Sequence, residues 1–281
     1  MNLFFDSGAT KCDCIVTDEA GRYLTHHTDT GINASYASDE EMDAVLARFS
    51  AATGTQAVHI VFAGAGCGNP SNADRVRKAI EAHYHAEEVV VESDLAGACR
   101  LLSRRQPCLT AILGTGAAAC QYDGNRITEQ SPSLGWMLGD EGSGTHLGKL
   151  LISHYLKGGL PPECREALER EFGLDRSEVL RRVYRAPSPN LFFSQFAKFI
   201  SDNIDKYPEL QILVNQSFDQ FFQEQILPLS GHSTLPLHLM GSVAWHYQSH
   251  LREAANRHGV RIGTIAASPL QLMREYEDSI I

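Results

Sequence analysis

The stretch that decides the fold is residues 4–25, FFDSGATKCDCIVTDEAGRYLT. Two short apolar runs flank the turn Ser-Gly-Ala-Thr-Lys, and a tight turn then leads into a third run. The pattern recurs at residues 109–128, LTAILGTGAAACQYDGNRIT, with Gly-Thr-Gly as its first turn and Asp-Gly as its second. Each stretch predicts strand, glycine turn, strand, tight turn and strand. The recurrence suggests an internal duplication.

Helix-like and strand-like runs alternate after each of these stretches. Met42, Val45, Leu46 and Phe49 have the i, i+3, i+4, i+7 spacing of a helix that is capped at residue 38 or 39. Further predicted elements are strands at 57–64, 88–93, 236–241 and 260–267, and helices around 73–80, at 95–103, in a block at about 143–227, from Ser242, and from Ser268 or Pro269. Two such α/β halves predict two similar lobes with a ligand cleft between them.

Composition and charge limit the possible functions. The chain has 281 residues and a net charge of -10, which argues against nucleic acid as a partner because such proteins need a basic face. The sequence contains no run of about 18 apolar residues, so we predict no membrane span. The start, MNLFFDSG, lacks the features of a signal peptide. We therefore expect a soluble cytoplasmic protein that does not contact a membrane.

The seven cysteines are odd in number and mostly lie in apolar contexts. Cys12 and Cys14 form the one close pair, and no second pair completes the spacing of a structural zinc site. We therefore expect reduced thiols buried in the core.

The first glycine turn lies in DSGATKCD, residues 6–13. It lacks the P-loop pattern, so it would hold phosphate through the N–H groups of a tight hairpin. Gly8 allows close approach, and Thr10 and Lys11 add donors. Asp6 ends the first strand, where its carboxylate could hold Mg²⁺ directly or through water. A plain hairpin with solvated polar side chains is the alternative.

The second glycine turn, Gly114-Thr115-Gly116, offers one polar side chain and is followed by alanines. Alone it indicates less than the first turn. The two turns together indicate more, because a nucleoside triphosphate held in a cleft needs donors from both walls.

Asp94 stands where a strand ends and a helix begins, within VESDLAGAC at 91–99. Aspartate is a favoured N-cap residue, and the local sequence favours that role. The alternative is a carboxylate at the carboxyl end of a strand, where ligands of such sheets bind. There it could accept a proton from an attacking hydroxyl group.

The stretch LGWMLGDEGSG, residues 134–144, holds four glycines, one tryptophan and two adjacent carboxylates. Such glycine density indicates tight backbone geometry or close approach of a ligand. Trp136 and Asp140 suit a sugar-like ligand. A long turn whose acidic residues cap the following helix is the alternative.

The last motif, LHLMGSVAW at 237–245, predicts a strand that turns into a helix at Gly241 and Ser242. Such a turn can lie against an adenine ring. An ordinary turn capped by Ser242 is the alternative.

In their order along the chain, the five motifs resemble those of the actin-like ATPase and sugar kinase superfamily. More narrowly, they are similar to the N-acetylglucosamine kinase and BadF/BadG/BcrA/BcrD group. DSGATKCD resembles the phosphate-1 hairpin, GTG the phosphate-2 hairpin, and GSVAW the adenosine motif. ESDLAGA resembles the stretch with the catalytic aspartate, and LGWMLGDEGSG the glycine-tryptophan and Gly-Asp-Glu-Gly-Ser signature. The resemblance spans residues 6 to about 270.

The resemblance implies an α/β protein with two ribonuclease-H-like lobes that close over ATP, Mg²⁺ and an amino sugar. It implies that Asp94 takes the proton from the 6-hydroxyl of N-acetylglucosamine, which attacks the γ-phosphate. The implied ligands are Asp6 for Mg²⁺; Gly8, Ala9, Thr10, Lys11, Gly114, Thr115 and Gly116 for the phosphates of ATP; Gly241 and Ser242 for adenosine; and Asn33, Gly135, Trp136 and Asp140 for the sugar.

The same resemblance divides the chain into an N-terminal lobe at 1–107 and a C-terminal lobe at 108–267. The second lobe would contain a helical insertion at about 160–230. A last helix at about 268–281 would pack back on the first lobe. Members of the group are often dimers, so a homodimer is one expected state.

Three positions in two motifs depart from the family pattern. Relatives commonly follow Gly-Thr-Gly with Ser-Asn, whose asparagine lies near the substrates, whereas this chain has Ala117 and Ala118. The alanines keep the backbone donors but remove a hydrogen-bonding side chain, an effect of about 0.5–1.5 kcal/mol per lost bond. Leu134 replaces the first of the paired glycines before Trp136. Sugar identity and turnover are therefore less certain than ATP binding.

Two other functions share this fold. One is a sugar or nucleotide sensor without catalytic activity, which the two alanines would suit. The other is the ATP-driven activator of radical dehydratases, which holds an iron–sulfur cluster with cysteines from each subunit of a dimer. The isolated Cys99 and Cys120 look unlike that arrangement.

Overall fold

The computed structural model describes residues 1–8 and 10–275. The chain divides into two compact units. The first contains Met1–Gln106, Gly124–Arg126 and the segment from Ser268 onward, and the second contains Pro107–Asp123 and Ile127–Ala267. Ala9 and residues 276–281, which belong to the predicted phosphate turn and the predicted last helix, lie outside the described residues.

The first unit is built on a five-stranded sheet in the order β3-β2-β1-β4-β5. Its strands are β1 (Asn2–Ser7), β2 (Lys11–Thr17), β3 (Tyr23–Thr30), β4 (Gln56–Gly64) and β5 (His85–Ser93). The first three strands pair antiparallel, whereas β1, β4 and β5 pair parallel. The predicted strands are therefore confirmed, and the third continues to Thr30, beyond the stretch that predicted it.

Three helices follow the strands of this unit: α1 (Asp39–Thr53), α2 (Pro70–His83) and α3 (Asp94–Ser103). Helix α1 begins with a capping box, because the Ser38 hydroxyl accepts the Glu41 N–H while the Glu41 carboxylate accepts the Ser38 N–H. All four predicted core residues of α1 are buried: Met42, Val45, Leu46 and Phe49.

The second unit contains a sheet with the same topology, in the order β10-β9-β6-β7-β8. Its strands are β6 (Cys108–Leu113), β7 (Ala117–Tyr122), β8 (Ile127–Gln130), β9 (Leu237–Met240) and β10 (Ile262–Ala266). Again the first three strands pair antiparallel, whereas β6, β9 and β10 pair parallel. The shared topology is what an internal duplication predicts.

A block of helices lies between β8 and β9 in the sequence. Its members are α4 (Gly135–Leu138), α5 (Gly144–Leu156), α6 (Pro162–Phe172), α7 (Arg176–Arg185), α8 (Pro189–Ser194), α9 (Phe196–Asn203) and α10 (Pro208–Phe221), which continues into a π-helical turn (Phe222–Ile226). After β9 come α11 (Ser242–His246) and α12 (Gln248–Arg257), and α13 (Pro269–Glu275) ends the described chain.

Aromatic packing holds the helical block together. Phe172 and Phe196 meet edge to face with ring centroids 4.8 Å apart, and Phe192 meets Phe196 at 5.1 Å. Phe196 and Phe199 are almost completely buried. Burial of each such ring contributes roughly 1.5–3 kcal/mol to folding. This core fixes α8 and α9 against α5, whose first turn carries part of the candidate site.

Helix α13 contacts α3 and β3 of the first unit. Arg274 donates to the Tyr23 hydroxyl at 3.0 Å and lies over the Tyr23 ring. All seven cysteines are buried and none forms a disulfide within the described residues, which confirms the expected core thiols. Within residues 1–8 and 10–275, no helix is both long and apolar enough to cross a membrane.

Gly148 provides a test of the packing between α5 and α8. A Cβ atom at this position would overlap the carbonyl oxygen of Phe193, a backbone atom that cannot rotate away. Overpacking costs about 1–3 kcal/mol, which exceeds the roughly 1 kcal/mol that alanine gains over glycine inside a helix. With this gain subtracted, we expect Gly148→Ala to lower the free energy of unfolding by about 1 kcal/mol in urea titrations.

Gly68→Ala is the matched control, because the nearest atom to a Cβ at Gly68 is the Ser93 Cβ at 3.8 Å. Equal stability of the two variants would show that α8 can move away from α5 at no cost.

Candidate active site

The parallel strands of the first sheet bring two of the predicted carboxylates to one edge. Ser7, Gly64 and Ser93 are paired neighbours at the carboxyl ends of β1, β4 and β5. Asp6 precedes the first of these residues and Asp94 follows the last. The edge beyond the carboxyl ends of parallel strands is where ligands of such sheets bind.

A third carboxylate, which the sequence motifs did not single out, faces Asp6. Asp13 of β2 pairs directly with Asp6 of β1, and its side chain is buried. The Thr28 hydroxyl donates to Asp13 Oδ1 at 2.6 Å, and Lys11 Nζ lies 2.6 Å from Asp13 Oδ2. Like charges directly opposite each other destabilise a sheet. The pair therefore indicates a place where the protein tolerates negative charge.

The electrostatics of Asp6 reflect this crowding. Burial, followed by repulsion from Asp13 and then from Asp94, raises the pKa of Asp6 to about 7, while Lys11 opposes the rise. The half-buried Asp6 thus lies where a positively charged ligand would be stabilised.

Asp94 does not cap the helix it begins, so the role that its local sequence favoured is wrong. The N-cap of α3 is Ser93, whose hydroxyl accepts the Ala96 N–H at 3.1 Å. Asp94 is the first helical residue and accepts the Leu95 N–H at 2.8 Å. Burial raises the pKa of Asp94. A carboxylate with a raised pKa at a sheet edge is a candidate proton acceptor.

The backbone at Gly31 packs tightly against the first glycine turn. The Gly8 N–H donates to the Lys11 carbonyl at 2.9 Å. A Cβ atom at Gly31 would overlap the Gly8 carbonyl and lie 2.7–2.8 Å from the backbone nitrogens of Lys11 and Thr10. Gly31 therefore supports the turn, and it is a second site residue that the sequence motifs did not single out.

Asn33 reaches the same edge through a buried serine. The Ser7 hydroxyl accepts the Ile32 N–H at 2.8 Å and donates to the Ile32 carbonyl at 3.1 Å. Asn33 follows, and its Oδ1 accepts the Ser35 N–H at 3.0 Å. The first unit thus brings together four of the predicted site residues or groups: Asp6, the turn with Thr10 and Lys11, Asn33 and Asp94.

The second glycine turn rests on the first turn of α5. The Gly114 carbonyl accepts the Gly144 N–H at 2.8 Å. The Thr115 carbonyl accepts both the N–H and the hydroxyl of Thr145, at 3.1 and 2.6 Å. Within the described part of the chain, the N–H groups of Thr115 and Gly116 donate to no acceptor. The turn is thus held by its carbonyls, and its N–H groups remain available to an anion.

Asp140 is bound to this turn. Its Oδ1 accepts the Ala117 N–H at 3.2 Å, and a Cβ at Gly116 would lie 3.0 Å from its Oδ2. Asp140 itself has a positive φ of 58°, an uncommon conformation for a residue with a side chain. Burial raises its pKa. Gly116 is therefore needed for the approach of Asp140 as well as for the turn.

Trp136 belongs partly to the core. Its ring is half-buried and packs on Phe193 with centroids 6.0 Å apart, and its carbonyl accepts a hydrogen bond from Lys149 Nζ at 2.5 Å. Gly135 precedes it with a φ of 69°. The apolar neighbours on this short segment are exposed: Leu134, Met137 and Leu138.

The second glycine turn and the last motif share a cavity of about 320 Å³. Gly114, Thr115 and Ser242 line it, whereas Gly241 does not. A Cβ at Gly241, where φ is 121°, would overlap the Leu113 carbonyl, so this glycine serves close backbone packing. Gly241 is also the N-cap of α11, so the expected cap at Ser242 is wrong. The size of the cavity suits a small ligand.

Helices α8 and α9 supply much of the cavity wall, and no sequence motif pointed to them. Their lining residues are Ser194, Gln195, Ala197, Lys198, Ser201 and Asp202, and α11 and the residue after it add Val243, His246 and Tyr247. The Tyr247 hydroxyl donates to the Ala197 carbonyl at 2.5 Å, which joins the two walls.

Comparison with known proteins identifies the family to which the chain belongs. A sequence profile of the BadF/BadG/BcrA/BcrD ATPase family matches residues 5–158. A Porphyromonas gingivalis protein, provisionally named an N-acetylglucosamine kinase, is 34% identical, with a TM-score of 0.91 and 98% of each chain covered. No curated protein sequence matches the chain.

More distant structures share the fold. A Chromobacterium violaceum protein, also provisionally named an N-acetylglucosamine kinase, is 19% identical, with a TM-score of 0.76 and 99% and 95% of the two chains covered. A ROK family glucokinase from Streptomyces griseus, in complex with glucose and AMPPNP, is 14% identical, with a TM-score of 0.58 and 99% and 97% covered. The two five-stranded sheets therefore have the actin-like ATPase fold, which confirms the predicted fold class.

His146, in the first turn of α5, makes the stability of this region depend on pH. Its Nδ1 lies 2.8 Å from the Ser217 hydroxyl, and burial, with a smaller effect of Lys149, lowers its pKa to about 4. The unfolded chain takes up this proton below its ordinary pKa of 6.5, whereas the folded chain does so only near 4. Stability is therefore lost as the pH falls from 6.5 towards 4.

We expect His146→Gln to reduce the loss of unfolding free energy between pH 7 and pH 5 by about 2 kcal/mol. The measurement is a urea titration at both pH values. His154→Gln, an exposed position on the same helix, is the control and should keep the wild-type difference. If the two variants lost equal stability on acidification, His146 would not be the group responsible.

Proposed function

Because the chain belongs to the BadF/BadG/BcrA/BcrD ATPase family, we propose that it is an ATP-dependent sugar kinase. Its acceptor would be the 6-hydroxyl of N-acetylglucosamine or of a related amino sugar. The observation that carries the proposal is the shared sheet edge, where Asp94 lies with Asp6 and the first glycine turn. A phosphate-binding turn beside a carboxylate proton acceptor is the arrangement that phosphoryl transfer to an alcohol requires.

Asp94 would act as the general base. The sugar oxygen would form a bond to the γ-phosphorus, the bond from that phosphorus to the β-phosphate oxygen would break, and the hydroxyl proton would pass to Asp94. The raised pKa of Asp94 brings its basicity closer to the working pH. Its hydrogen bond with the Leu95 N–H orients the carboxylate for this transfer.

The two glycine turns would bind the phosphates of ATP. Thr115 and Gly116 offer backbone N–H groups, and their turn is already fixed by α5, so little conformational entropy would be lost on binding. In the first turn, Gly8, Thr10 and Lys11 would serve, together with Ala9. The Lys11 ammonium, more than half exposed, can turn from Asp13 to a phosphate.

The residues around Asp6 fit a magnesium ion. Asp6 faces a second carboxylate, and their mutual repulsion is relieved by a cation. Within the described residues, no three His, Cys, Asp or Glu side chains group to hold a metal alone. Mg²⁺ commonly takes only one or two carboxylates, with phosphate oxygens and water completing its shell. When bound, the ion would neutralise charge on the phosphates.

Asn33, Gly135, Trp136 and Asp140 would line the sugar site. Ala117 and Ala118 offer the sugar no hydrogen-bonding side chain. The Ala117 N–H donates to the Asp140 carboxylate, and this bond would orient the carboxylate towards the sugar. These features support an amino sugar and leave the choice among such sugars to a substrate panel.

The cavity of the second unit would hold adenosine. Ser242 and the second glycine turn line it together, so base and phosphates would be bound by one unit. A homodimer and a cytoplasmic location also belong to this proposal, as properties that the family resemblance and the sequence suggested.

A sensor without catalytic activity is the second candidate, and the two alanines after the second turn favour it. Such a protein would bind sugar or ATP and release no ADP.

The cysteines of this chain disfavour a third function, that of a dehydratase activator. The cluster of such an activator is held by cysteines from each subunit of a dimer, whereas all seven cysteines of this chain are buried.

Asp94→Asn tests the proposed base. We expect sugar-dependent ADP release to fall at least roughly 100-fold, because general-base catalysis contributes about 10²–10⁴-fold. The assay couples ADP formation to a panel of hexoses and N-acetylhexosamines with ATP and Mg²⁺. Unfolding in urea serves as the control for folding. Full activity of the variant would exclude the mechanism, and sugar binding by a wild type that forms no product would establish the sensor.

Ser242→Tyr tests the adenosine site. The exposed serine lines the cavity, so a ring there would narrow it. We expect the KM for ATP to rise roughly tenfold while the KM for the sugar stays unchanged, because only uniform binding of the nucleotide is weakened. Ser249→Tyr, exposed and outside the cavity, is the matched control. An unchanged KM for ATP in both variants would place the adenosine elsewhere.

A further inference from the structure

We propose that Gln225, in the π-helical turn Phe222–Ile226, is a positioning residue for the loop from Ser131 to Ser143. This loop, called here the signature loop, carries Trp136 and Asp140. The inference rests on the proposed function for its effect on sugar binding, but its structural part can be tested without any substrate.

Gln225 binds the signature loop at two residues, Ser131 and Glu141. Its side-chain nitrogen donates to Glu141 Oε2 at 2.9 Å, and its carbonyl accepts the Ser131 hydroxyl at 2.5 Å. Gln225 is only 5% exposed, so water cannot replace these bonds easily. One residue of the helical block thus holds the loop at its first residue and at the residue after Asp140.

The π-helical turn explains how one residue can do this. The Leu227 N–H donates to the Phe222 carbonyl at 2.8 Å, five residues earlier. Such a wide turn changes the direction of the following groups relative to a continuous α-helix, and π-helical turns are frequent at functional sites. Here the turn follows α10 directly and directs Gln225 towards the signature loop.

Two contacts from α10 complete the support. A Cβ at Gly142 would lie 2.8 Å from the Phe221 Cβ, so the loop passes directly over α10 and requires glycine there. His146, which follows the loop, lies 2.8 Å from the hydroxyl of Ser217 of α10. The signature loop is therefore fixed along one helix and the π-helical turn that extends it.

Asp140 is the residue that needs this support. Its positive φ is a sparsely populated conformation that persists only where surrounding contacts determine it. The Ala117 N–H holds its side chain, and the bond between Gln225 and Glu141 holds the side chain of the next residue. Without Gln225, Asp140 could relax, and its carboxylate would leave the position in which we propose that it binds the sugar.

The test compares Gln225→Leu with Gln223→Leu, an exposed position in the same π-helical turn. We expect the KM for the sugar to rise roughly 3- to 10-fold in the first variant only, as expected for one lost hydrogen bond, with the KM for ATP unchanged. The double exchange Glu141→Gln with Gln225→Glu restores a hydrogen bond with donor and acceptor reversed. It should recover most of the wild-type KM.

Hydrogen exchange at the amides of residues 134–142 provides the readout that needs no sugar. Faster exchange in Gln225→Leu, with wild-type exchange in Gln223→Leu, supports the positioning role even if the protein phosphorylates no sugar. Unchanged exchange in Gln225→Leu would overturn it. If the wild type is a kinase, a lower melting temperature with no change in the KM for the sugar would also overturn it, because Gln225 would then serve stability alone.

Discussion

The register of β1 with its two neighbours is the constraint on which the first unit depends. Pairing of Ser7 with Gly64, and of Gly64 with Ser93, brings Asp6 and Asp94 to the same edge although 87 positions separate them in the sequence. A shift of one residue would turn Asp6 to the opposite face of the sheet. The buried Ser7 hydroxyl links this register to the loop with Asn33, so one strand end aligns three of the candidate site residues.

The two sheets share a topology but differ in charge. In the first hairpin the penultimate pair before the turn is Asp6 with Asp13, and in the second it is Ile112 with Ala118. The same scaffold therefore presents a pair of carboxylates in one unit and an apolar pair in the other. A repeated fold can thus divide its tasks, with a cation favoured at one turn and neutral backbone donors at the other.

Local sequence patterns predicted elements well, because helix periodicity and strand alternation depend on neighbouring residues. The buried face of α1 followed from spacing, and the sequence limited the cap to Ser38 or Asp39, of which Ser38 is the cap. Asp94 was less predictable, since the preceding serine competes for the same cap. The position of Asp13 opposite Asp6 could be predicted only from the register of the hairpin. The role of Gly31 could be predicted only by knowing which loop packs against the first glycine turn. Such contacts join residues distant in sequence and leave no periodic signal.

The second glycine turn shows how a motif can keep its backbone contacts while its side chains change. Gly116 accommodates Asp140, and the Ala117 N–H binds the carboxylate of Asp140, so both residues act through the backbone and through small size. Neither function requires a polar side chain at 117 or 118. The alanines therefore leave the link between the turn and the signature loop intact, and what they remove is confined to direct contacts with a ligand. If the chain is the proposed kinase, the alanines would leave phosphate binding by the turn and the orientation of Asp140 intact and would alter which sugar is accepted.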